Sequence, residues 1–284
     1  MAGIVGSSWD GALGVTPEIE LVSVRVLADN GEGSFDDVVR GLQWVNDHAA
    51  ELNITAVNLS LGSDRTYDAP GDVPNYWYMS GMRQALDALE AKGVITVAAS
   101  GNSGSTSGLS MPAILDDTIS VGGASKSDGV GLYSNRSDAL DLLAPGSSIE
   151  SLRNGGGTRS GSGTSFAAPF VTAASTLVRE MMGQYTTDFA GGFDSYQDHF
   201  LHIMQETGEE VFDGNTGQTY TRLDVLAALD WVAVNIGGQP PRHAGDYGDE
   251  TRVPEPAGVT IFISGVLLIF TRRRTGQAMR SSLG

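Results

Sequence analysis

The sequence predicts an α/β fold in three layers, a mostly parallel sheet with helices on both faces. Short apolar runs typical of buried strands alternate with amphipathic stretches typical of helices. A chain of 284 residues is long enough to bury a large core. Its 38 glycines and 18% charged residues fit a loop-rich globular protein.

The first predicted strand spans residues 19–27, where apolar and polar side chains alternate. A helix follows, and Ser34 with Asp37 three residues later resembles a capping box at its start. Residues 1–8 carry no capping signal and are assigned to no element. The same reasoning predicts strands at 54–62, 94–99, 119–123 and 139–143 and helices at 77–92, 165–182, 196–205 and 223–234.

Charge and cysteine content exclude several kinds of partner. The net charge is −17, and Lys92 and Lys126 are the two lysines of the chain. Sequence-independent binding to nucleic acid needs clustered basic side chains, so no nucleic-acid partner is expected. The absence of cysteine excludes disulfides and thiolate metal sites.

The sharpest motif is Gly163-Thr164-Ser165-Phe166-Ala167-Ala168-Pro169, at the start of a predicted helix. A serine in the first turn of a helix lies near unpaired N–H groups and the positive end of the helix dipole. Small neighbours allow a peptide backbone to approach its hydroxyl. Ser165 is therefore a candidate nucleophile, and the alternative is an ordinary capping serine.

A second motif, Ala99-Ser100-Gly101-Asn102-Ser103-Gly104, follows an apolar strand. An asparagine at the carboxyl end of a strand can direct its side-chain N–H groups into a cleft where negative charge develops. Asn102 is therefore a candidate oxyanion donor. The alternative is a turn asparagine, since Gly-Asn-Ser-Gly is also a common turn sequence.

Taken together, these motifs resemble the subtilisin-like serine proteases, or subtilases. Gly-Thr-Ser-x-Ala-x-Pro is the nucleophile motif of that family, and the Gly-Asn segment resembles its oxyanion segment. Three further stretches match in the right order, and the resemblance covers roughly residues 2–235. These stretches are Gly14-Val15-Thr16-Pro17 with the strand after it, Val57-Asn58-Leu59-Ser60-Leu61-Gly62 and Ala144-Pro145-Gly146.

The resemblance implies a serine-type endopeptidase acting on a peptide or protein substrate. Ser165 would form the acyl-enzyme, and Asn102 with the Ser165 backbone N–H would form the oxyanion hole. An extended substrate would pair with the strand end at Ser60, Leu61 and Gly62. Gly101, Gly104 and residues 110–112 would border the specificity pocket. No cofactor is implied; structural calcium occurs in the family, but no ligand set can be assigned here.

The family's catalytic Asp and His motifs do not occur in this sequence. Ala2-Gly3-Ile4-Val5 resembles the residues directly after that His, so we expect the first strand, the Asp and the His to lie outside this chain. None of the four histidines is a convincing replacement base. They are His48 on the polar face of a helix, His199 and His202 on a later helix, and His243 in the predicted linker.

The end of the chain resembles a PEP-type sorting signal of Gram-negative bacteria. Residues 1–236 would be a partial catalytic domain, 237–252 a Pro- and Gly-containing linker and 253–284 the signal. The signal comprises Pro254-Glu255-Pro256, an apolar segment at 257–271 and a basic tail beginning Arg272-Arg273-Arg274. This predicts export to the cell surface with a transient membrane anchor, and a processing transpeptidase as partner; the alternative for 257–271 is a buried core helix.

Two competing functions remain. An α/β-hydrolase would use Ser165 as nucleophile with Asp213, Asp224 or His243 downstream, but residues 155–163 are not the buried strand that such a nucleophile follows. A catalytically inactive subtilase-like module could instead bind peptides at the cell surface without needing a base. Labelling of Ser165 by a fluorophosphonate separates this module from an enzyme.

Overall fold

The computed structural model describes residues 1–9 and 11–239 and, as backbone, residues 259–264. Ser34 caps the second helix as predicted, and its hydroxyl accepts a hydrogen bond from the N–H of Asp37. Gly93, with φ +70°, follows the third helix, and a glycine in this conformation commonly ends a helix. The helices are α1 (Ala2–Gly6), α2 (Phe35–His48), α3 (Trp77–Glu90), α4 (Thr164–Gly183), α5 (Tyr196–Thr207) and α6 (Val225–Asn235), with a short 3₁₀ turn at Pro70–Asp72.

Twelve strands are described. They are β1 (Glu20–Arg25), β2 (Ile54–Leu59), β3 (Thr66–Tyr67), β4 (Ile95–Ala99), β5 (Leu109–Ser110), β6 (Ile119–Ala124), β7 (Leu142–Pro145), β8 (Ile149–Leu152), β9 (Thr158–Gly161), β10 (Glu209–Asp213), β11 (Gln218–Arg222) and β12 (Val259–Ser264). Eight form the main sheet in the order β1-β12-β2-β4-β6-β7-β11-β10. All neighbours are parallel except the β10–β11 hairpin.

The central strands are buried on both faces, as their apolar runs predicted. Successive residues of β2 and β4 point into two different cores. Val57, Leu59 and Ala98 pack on the side of α2 and α3, whereas Ala56 and Val97 pack on the side of α4, α5 and α6. The predicted three-layer α/β fold is confirmed.

Strand β12 comes from the far end of the described chain but lies in the interior of the sheet. Val259–Ser264 pairs in parallel with β1 on one side, and all but one of its residues pair with β2 on the other. These residues belong to the segment that the sequence predicts to be membrane-spanning at 257–271, and the rest of that segment lies outside the described residues. No helix in the described part of the chain is both long enough and apolar enough to cross a membrane.

Several elements have no counterpart in the sequence-based assignment. Residues 2–6 form α1, which has no side-chain cap and is held by packing of Val5 against Ile19, Leu21 and Ala173. The hairpins β8–β9 and β10–β11 were also not predicted. Of the predicted linker at 237–252, the structure describes residues 237–239.

The parallel arrangement brings the predicted site residues to one edge. Ser60 directly follows β2, and Ser100 to Asn102 directly follow β4. The carboxyl ends of neighbouring parallel strands meet at the same edge, where ligands bind in open α/β sheets. Helix α4 begins at this edge, packs against both strands and carries Ser165 in its first turn.

Candidate active site

Ser165 is the second residue of α4 and is partly exposed. The N-cap, Gly163, has a φ of 149°, a value that side chains rarely tolerate, and its N–H donates to the carbonyl of Gly146 at 2.8 Å. In the first turn of a helix the backbone N–H groups lack intrahelical acceptors. The hydroxyl of Ser165 and its own N–H therefore lie together at the positive end of α4.

Asn102 is held in one orientation by the same helix start. Its Oδ1 accepts hydrogen bonds from the N–H of Thr164 at 2.8 Å and from the Thr164 hydroxyl at 3.1 Å. Because an N–H donor requires the amide oxygen on that side, the Nδ2 group points the other way. No hydrogen bond joins Nδ2 to another described residue, so its two N–H groups are available to a ligand beside Ser165.

The hydroxyl of Thr164 ties the two segments together. It accepts from the N–H of Gly101 at 3.2 Å while donating to Oδ1 of Asn102. Thr164 is fully buried, so water does not compete for these bonds. The sequence motif contains Thr164 but assigned it no role, because its partners Gly101 and Asn102 are more than 60 residues away in the chain.

The backbone carbonyl of Ser165 accepts its hydrogen bond from outside the helix. Pro169 lies within α4 and has no N–H, so the Ser165 carbonyl four residues earlier has no helical donor. The Ser60 hydroxyl donates to that carbonyl at 2.9 Å. Ser60 in turn accepts from Nδ2 of Asn58 at 2.8 Å, and Oδ1 of Asn58 accepts from Thr172 at 3.1 Å. The end of β2 is thereby fixed against α4.

Asn135 organises the loop that carries Asn102, and sequence analysis missed it. Its side chain is fully buried and both ends of its amide are paired. Oδ1 accepts from the Ser103 N–H, the Ser103 hydroxyl and the Ser105 N–H, and Nδ2 donates to the Ser100 carbonyl and the Ser110 hydroxyl. Four of these five partners are in or next to the Asn102 turn, although Asn135 is more than 30 residues away in sequence.

The residue after Asn135, Arg136, forms a buried ion pair with Asp213. Nε of Arg136 donates to Oδ2 of Asp213 at 2.7 Å, and both side chains are almost fully buried. Burial alone would raise the pKa of Asp213, but hydrogen bonds from Arg136 and Asn215 outweigh it and lower that pKa. The N–H of Arg136 also donates to the Ser105 carbonyl at 2.9 Å. This pair links the loop that carries Asn102 to the β10–β11 hairpin.

These residues surround a cavity of about 300 Å³. Of the predicted site residues it is lined by Leu61, Gly62, Gly101, Asn102 and Ser165, and also by Ser110. Ser60 lines the neighbouring cavity. Gly104 is outside both linings; its φ of 71° and its N–H bond to the Tyr133 carbonyl give it a role in the turn.

The described histidines are engaged elsewhere, and none lines this cavity. The ring of His48 stacks on Trp44, and its Nδ1 lies 2.8 Å from the Trp44 carbonyl. His199 is buried, with Nδ1 2.9 Å from the Phe189 carbonyl, and His202 packs against Phe193. His243 lies outside the described residues. Asp64 is the one carboxylate among the described residues that line the cavity.

The described residues also offer no cluster of three or more His, Asp or Glu side chains placed to hold a metal ion. The structural calcium that the sequence resemblance allows therefore has no identifiable ligand set in the described part of the chain.

Comparison with known proteins agrees with the motifs. A sequence model of the subtilase family of peptidases matches residues 1–205. Subtilisin BL of Lederbergia lenta is 34% identical over 170 residues, which are 60% of this chain and 57% of that protein. Subtilisin-like protease 3 of Pseudogymnoascus destructans is 35% identical over 173 residues, which are 59% of this chain and 40% of that protein. The chain thus spans about half of the length of such relatives.

Solved structures give the same picture of the fold. A cold-adapted subtilisin-like serine proteinase is 28% identical and superposes with a TM-score of 0.60, covering 78% of this chain and 71% of that chain. The patellamide maturation protease PatA superposes with a TM-score of 0.65 over 84% of this chain and 82% of its own, at 23% identity. The second likeness bears on the fold alone.

Proposed function

This chain belongs to the subtilase family, and we propose that it supplies the nucleophile and the oxyanion hole of a serine endopeptidase. Ser165 is the nucleophile, and Asn102 Nδ2 with the Ser165 N–H stabilises the oxyanion. One observation carries the proposal. The Thr164 N–H and hydroxyl engage Oδ1 of Asn102, which leaves Nδ2 free to donate next to Ser165.

The proposed reaction has two stages, acylation of Ser165 and hydrolysis of the acyl-enzyme. The Ser165 hydroxyl oxygen attacks the carbonyl carbon of the scissile bond while its proton passes to a base. The resulting tetrahedral oxyanion accepts hydrogen bonds from Nδ2 of Asn102 and from the N–H of Ser165. Collapse breaks the C–N bond, the amine leaves with a proton from the base, and water then hydrolyses the acyl-serine.

The base and its orienting carboxylate are proposed to come from outside these 284 residues. Support comes from the three described histidines, whose rings are held by their own neighbours away from the cavity. A serine hydroxyl without a base is a weak nucleophile, although oxyanion stabilisation alone leaves residual catalysis. The chain by itself should therefore react slowly at Ser165.

The substrate is proposed to be a peptide in extended conformation. Residues Ser60, Leu61 and Gly62 follow the buried strand β2 at the mouth of the cavity, and Gly62 is exposed. An added strand gains affinity from backbone hydrogen bonds, which suits many substrate sequences. Gly101 also lines the cavity, and its φ of +105° together with the close approach of Asn135 and Ser110 leaves no room for a side chain at that position.

The absence of a base near Ser165 among the described residues also favours a second candidate, a peptide-binding module without catalysis. A fluorophosphonate reaction with the 284-residue chain, with and without added imidazole as an external base, separates the two. For an enzyme we expect labelling of Ser165 that imidazole accelerates and that Ser165→Ala abolishes. Peptide binding without any labelling under either condition would favour the binding module.

Residues 253–284 are proposed to act as a sorting signal for export to the cell surface, with a transpeptidase cutting near residues 254–256. The support is the sequence pattern of Pro-Glu-Pro, apolar segment and arginines. Strand β12 and a membrane segment exclude each other, so sorting requires β12 to leave the sheet. Mass spectrometry of the surface-exposed native protein tests this; a mature C-terminus beyond residue 271 would overturn it.

A further inference from the structure

A second cavity, of about 410 Å³, adjoins the one at Ser165. Residues 61–64 line both, so a peptide lying along this segment passes from one cavity to the next. The wall of the second cavity away from Ser165 is formed by the start of α2 and the loop before it. Its apolar surface consists of Leu27, Phe35, Val38 and Leu61.

The polar part of this cavity carries negative charge. Glu32 and Asp64 contribute carboxylates, and both residues are exposed. Glu32 accepts a hydrogen bond from Nδ2 of Asn30 at 2.7 Å, which leaves its charge uncompensated. Asp64 forms no ion pair with a described residue, and no Lys or Arg is among the described residues lining either cavity.

Nearby positive groups are engaged with other partners. Arg40 pairs with Asp36 and Asp37, the two acidic residues in the first turn of α2. These carboxylates also offset the positive end of the α2 dipole. Arg65 follows Asp64 in sequence, but its guanidinium lies over the Tyr67 ring, 5.1 Å from the ring centre. The cavity therefore keeps a negative potential, which the overall charge of −17 reinforces.

We propose that this second cavity binds a lysine or arginine side chain of the substrate and makes the site selective for basic peptides. This inference rests on the proposed function, since it assigns a preference to the same cleft. The aliphatic part of such a side chain would pack on the apolar wall, and its charged end would reach Glu32 and Asp64. Phe35 offers a ring that a cation can also approach.

The size of the preference follows from the exposure of the carboxylates. Solvent-exposed ion pairs contribute little each, so two of them predict about three- to tenfold tighter binding of a basic than of a neutral side chain. Screening by salt should reduce this ratio at high ionic strength. An acidic side chain at the same position should bind more weakly than a neutral one.

Fluorescent hexapeptide acids provide the test, because they are acyl-side products of the proposed cleavage and leave a carboxylate for the oxyanion hole. Arginine or norleucine is placed at each position in turn, and the Kd of the 284-residue chain is measured by polarisation. We expect one position, removed from the C-terminal residue, at which arginine binds about three- to tenfold more tightly. The double variant Glu32→Gln/Asp64→Asn should abolish that preference, whereas Glu51→Gln, at an exposed carboxylate outside both cavities, should preserve it.

The outcomes distinguish failure of the basic preference from failure of the proposed active site. If hexapeptides bind and Asn102→Ala weakens them, but arginine gives no advantage at any position, the basic preference is wrong and the proposed site stands. The assignment of the preference to Glu32 and Asp64 is likewise wrong, with the proposed site intact, if the double variant keeps the full preference for arginine. If no hexapeptide binds, or if Asn102→Ala has no effect on binding, the proposed site itself fails and the basic preference falls with it.

Discussion

The contact between Ser60 and the Ser165 carbonyl predicts a specific coupling with Pro169. Ser60→Ala removes the only donor that the described residues offer to the carbonyl, which Pro169 cannot pair within the helix. It also removes the acceptor of Nδ2 of Asn58, which is fully buried. Leaving a buried polar group unpaired costs about 1 to 3 kcal/mol, so Ser60→Ala should lower the free energy of unfolding by about 2 to 4 kcal/mol.

Pro169→Ala restores a backbone N–H four residues after Ser165. In that background the carbonyl regains a helical donor, so Ser60→Ala should cost about 1 kcal/mol less than in the native chain. The Asn58 part of the cost should persist. The coupling is measured by urea denaturation of the native chain, the two single variants and the double variant.

A matched control replaces a serine that is not part of this arrangement. The Ser147 hydroxyl meets that of Tyr133 at 3.2 Å and no other described group. Ser147→Ala should therefore combine additively with Pro169→Ala, within about 0.3 to 0.5 kcal/mol. If the effects of Ser60→Ala and Pro169→Ala on the free energy of unfolding also add within about 0.3 to 0.5 kcal/mol, the Ser60 hydroxyl does not substitute for the missing helical donor.

Three further predictions concern Asn135, the carboxyl of Asp117 and strand β12. Asn135→Ala leaves the N–H groups of Ser103 and Ser105 without their acceptor. It should lower the free energy of unfolding by about 2 to 4 kcal/mol and slow the labelling of Ser165. Unchanged labelling would mean that Asn135 does not position Asn102. Burial, and the hydrogen bond that protonated Asp117 donates to the Asp87 carboxylate, raise the pKa of Asp117 to about 7, so its stabilising contribution, complete below its ordinary pKa of 3.8, should be lost as pH rises through 7. Asp117→Asn should flatten the dependence of the Tm on pH between pH 5 and 8, whereas an unaltered pH profile would show that Asp117 does not contribute to it. Ile261→Pro removes an N–H from β12 between two parallel neighbours and should cost about 3 kcal/mol, whereas an unchanged Tm would mean that β12 does not stabilise the sheet.

Much of the fold could be predicted because local signals agree with the tertiary structure. The apolar runs of β2 and β4 are buried on both faces, and the Ser34 cap is formed as the sequence indicated. The β8–β9 and β10–β11 hairpins were missed because their strands are largely exposed and lack an apolar alternation. Residues 259–264 show the known ambiguity of short apolar runs, which fit a strand, a buried helix or a membrane segment equally well.

The candidate site also contains residues that the sequence could predict and residues that it could not. Ser165 and Asn102 could be found because each lies in a contiguous motif that meets a recognisable strand end or helix start. Their supports could not, because the partners are distant in sequence: Ser60 reaches a carbonyl 105 residues later, and Thr164 reaches Asn102 62 residues earlier. Asn135 has the sequence surroundings of an ordinary loop asparagine, and the motif that ends at Pro169 does not show that this proline leaves the Ser165 carbonyl to Ser60.

In the proposed mechanism, Asn102 stabilises the negative charge that forms at Ser165. The direct measurement is the rate of fluorophosphonate labelling of Ser165 in the presence of imidazole, compared between the native chain and Asn102→Ala. Loss of the oxyanion asparagine slows turnover by subtilisin itself by about 100- to 1,000-fold, and slowing of that order is expected here. Circular dichroism should show that the variant remains folded. Equal labelling rates in the two folded proteins would contradict the claim.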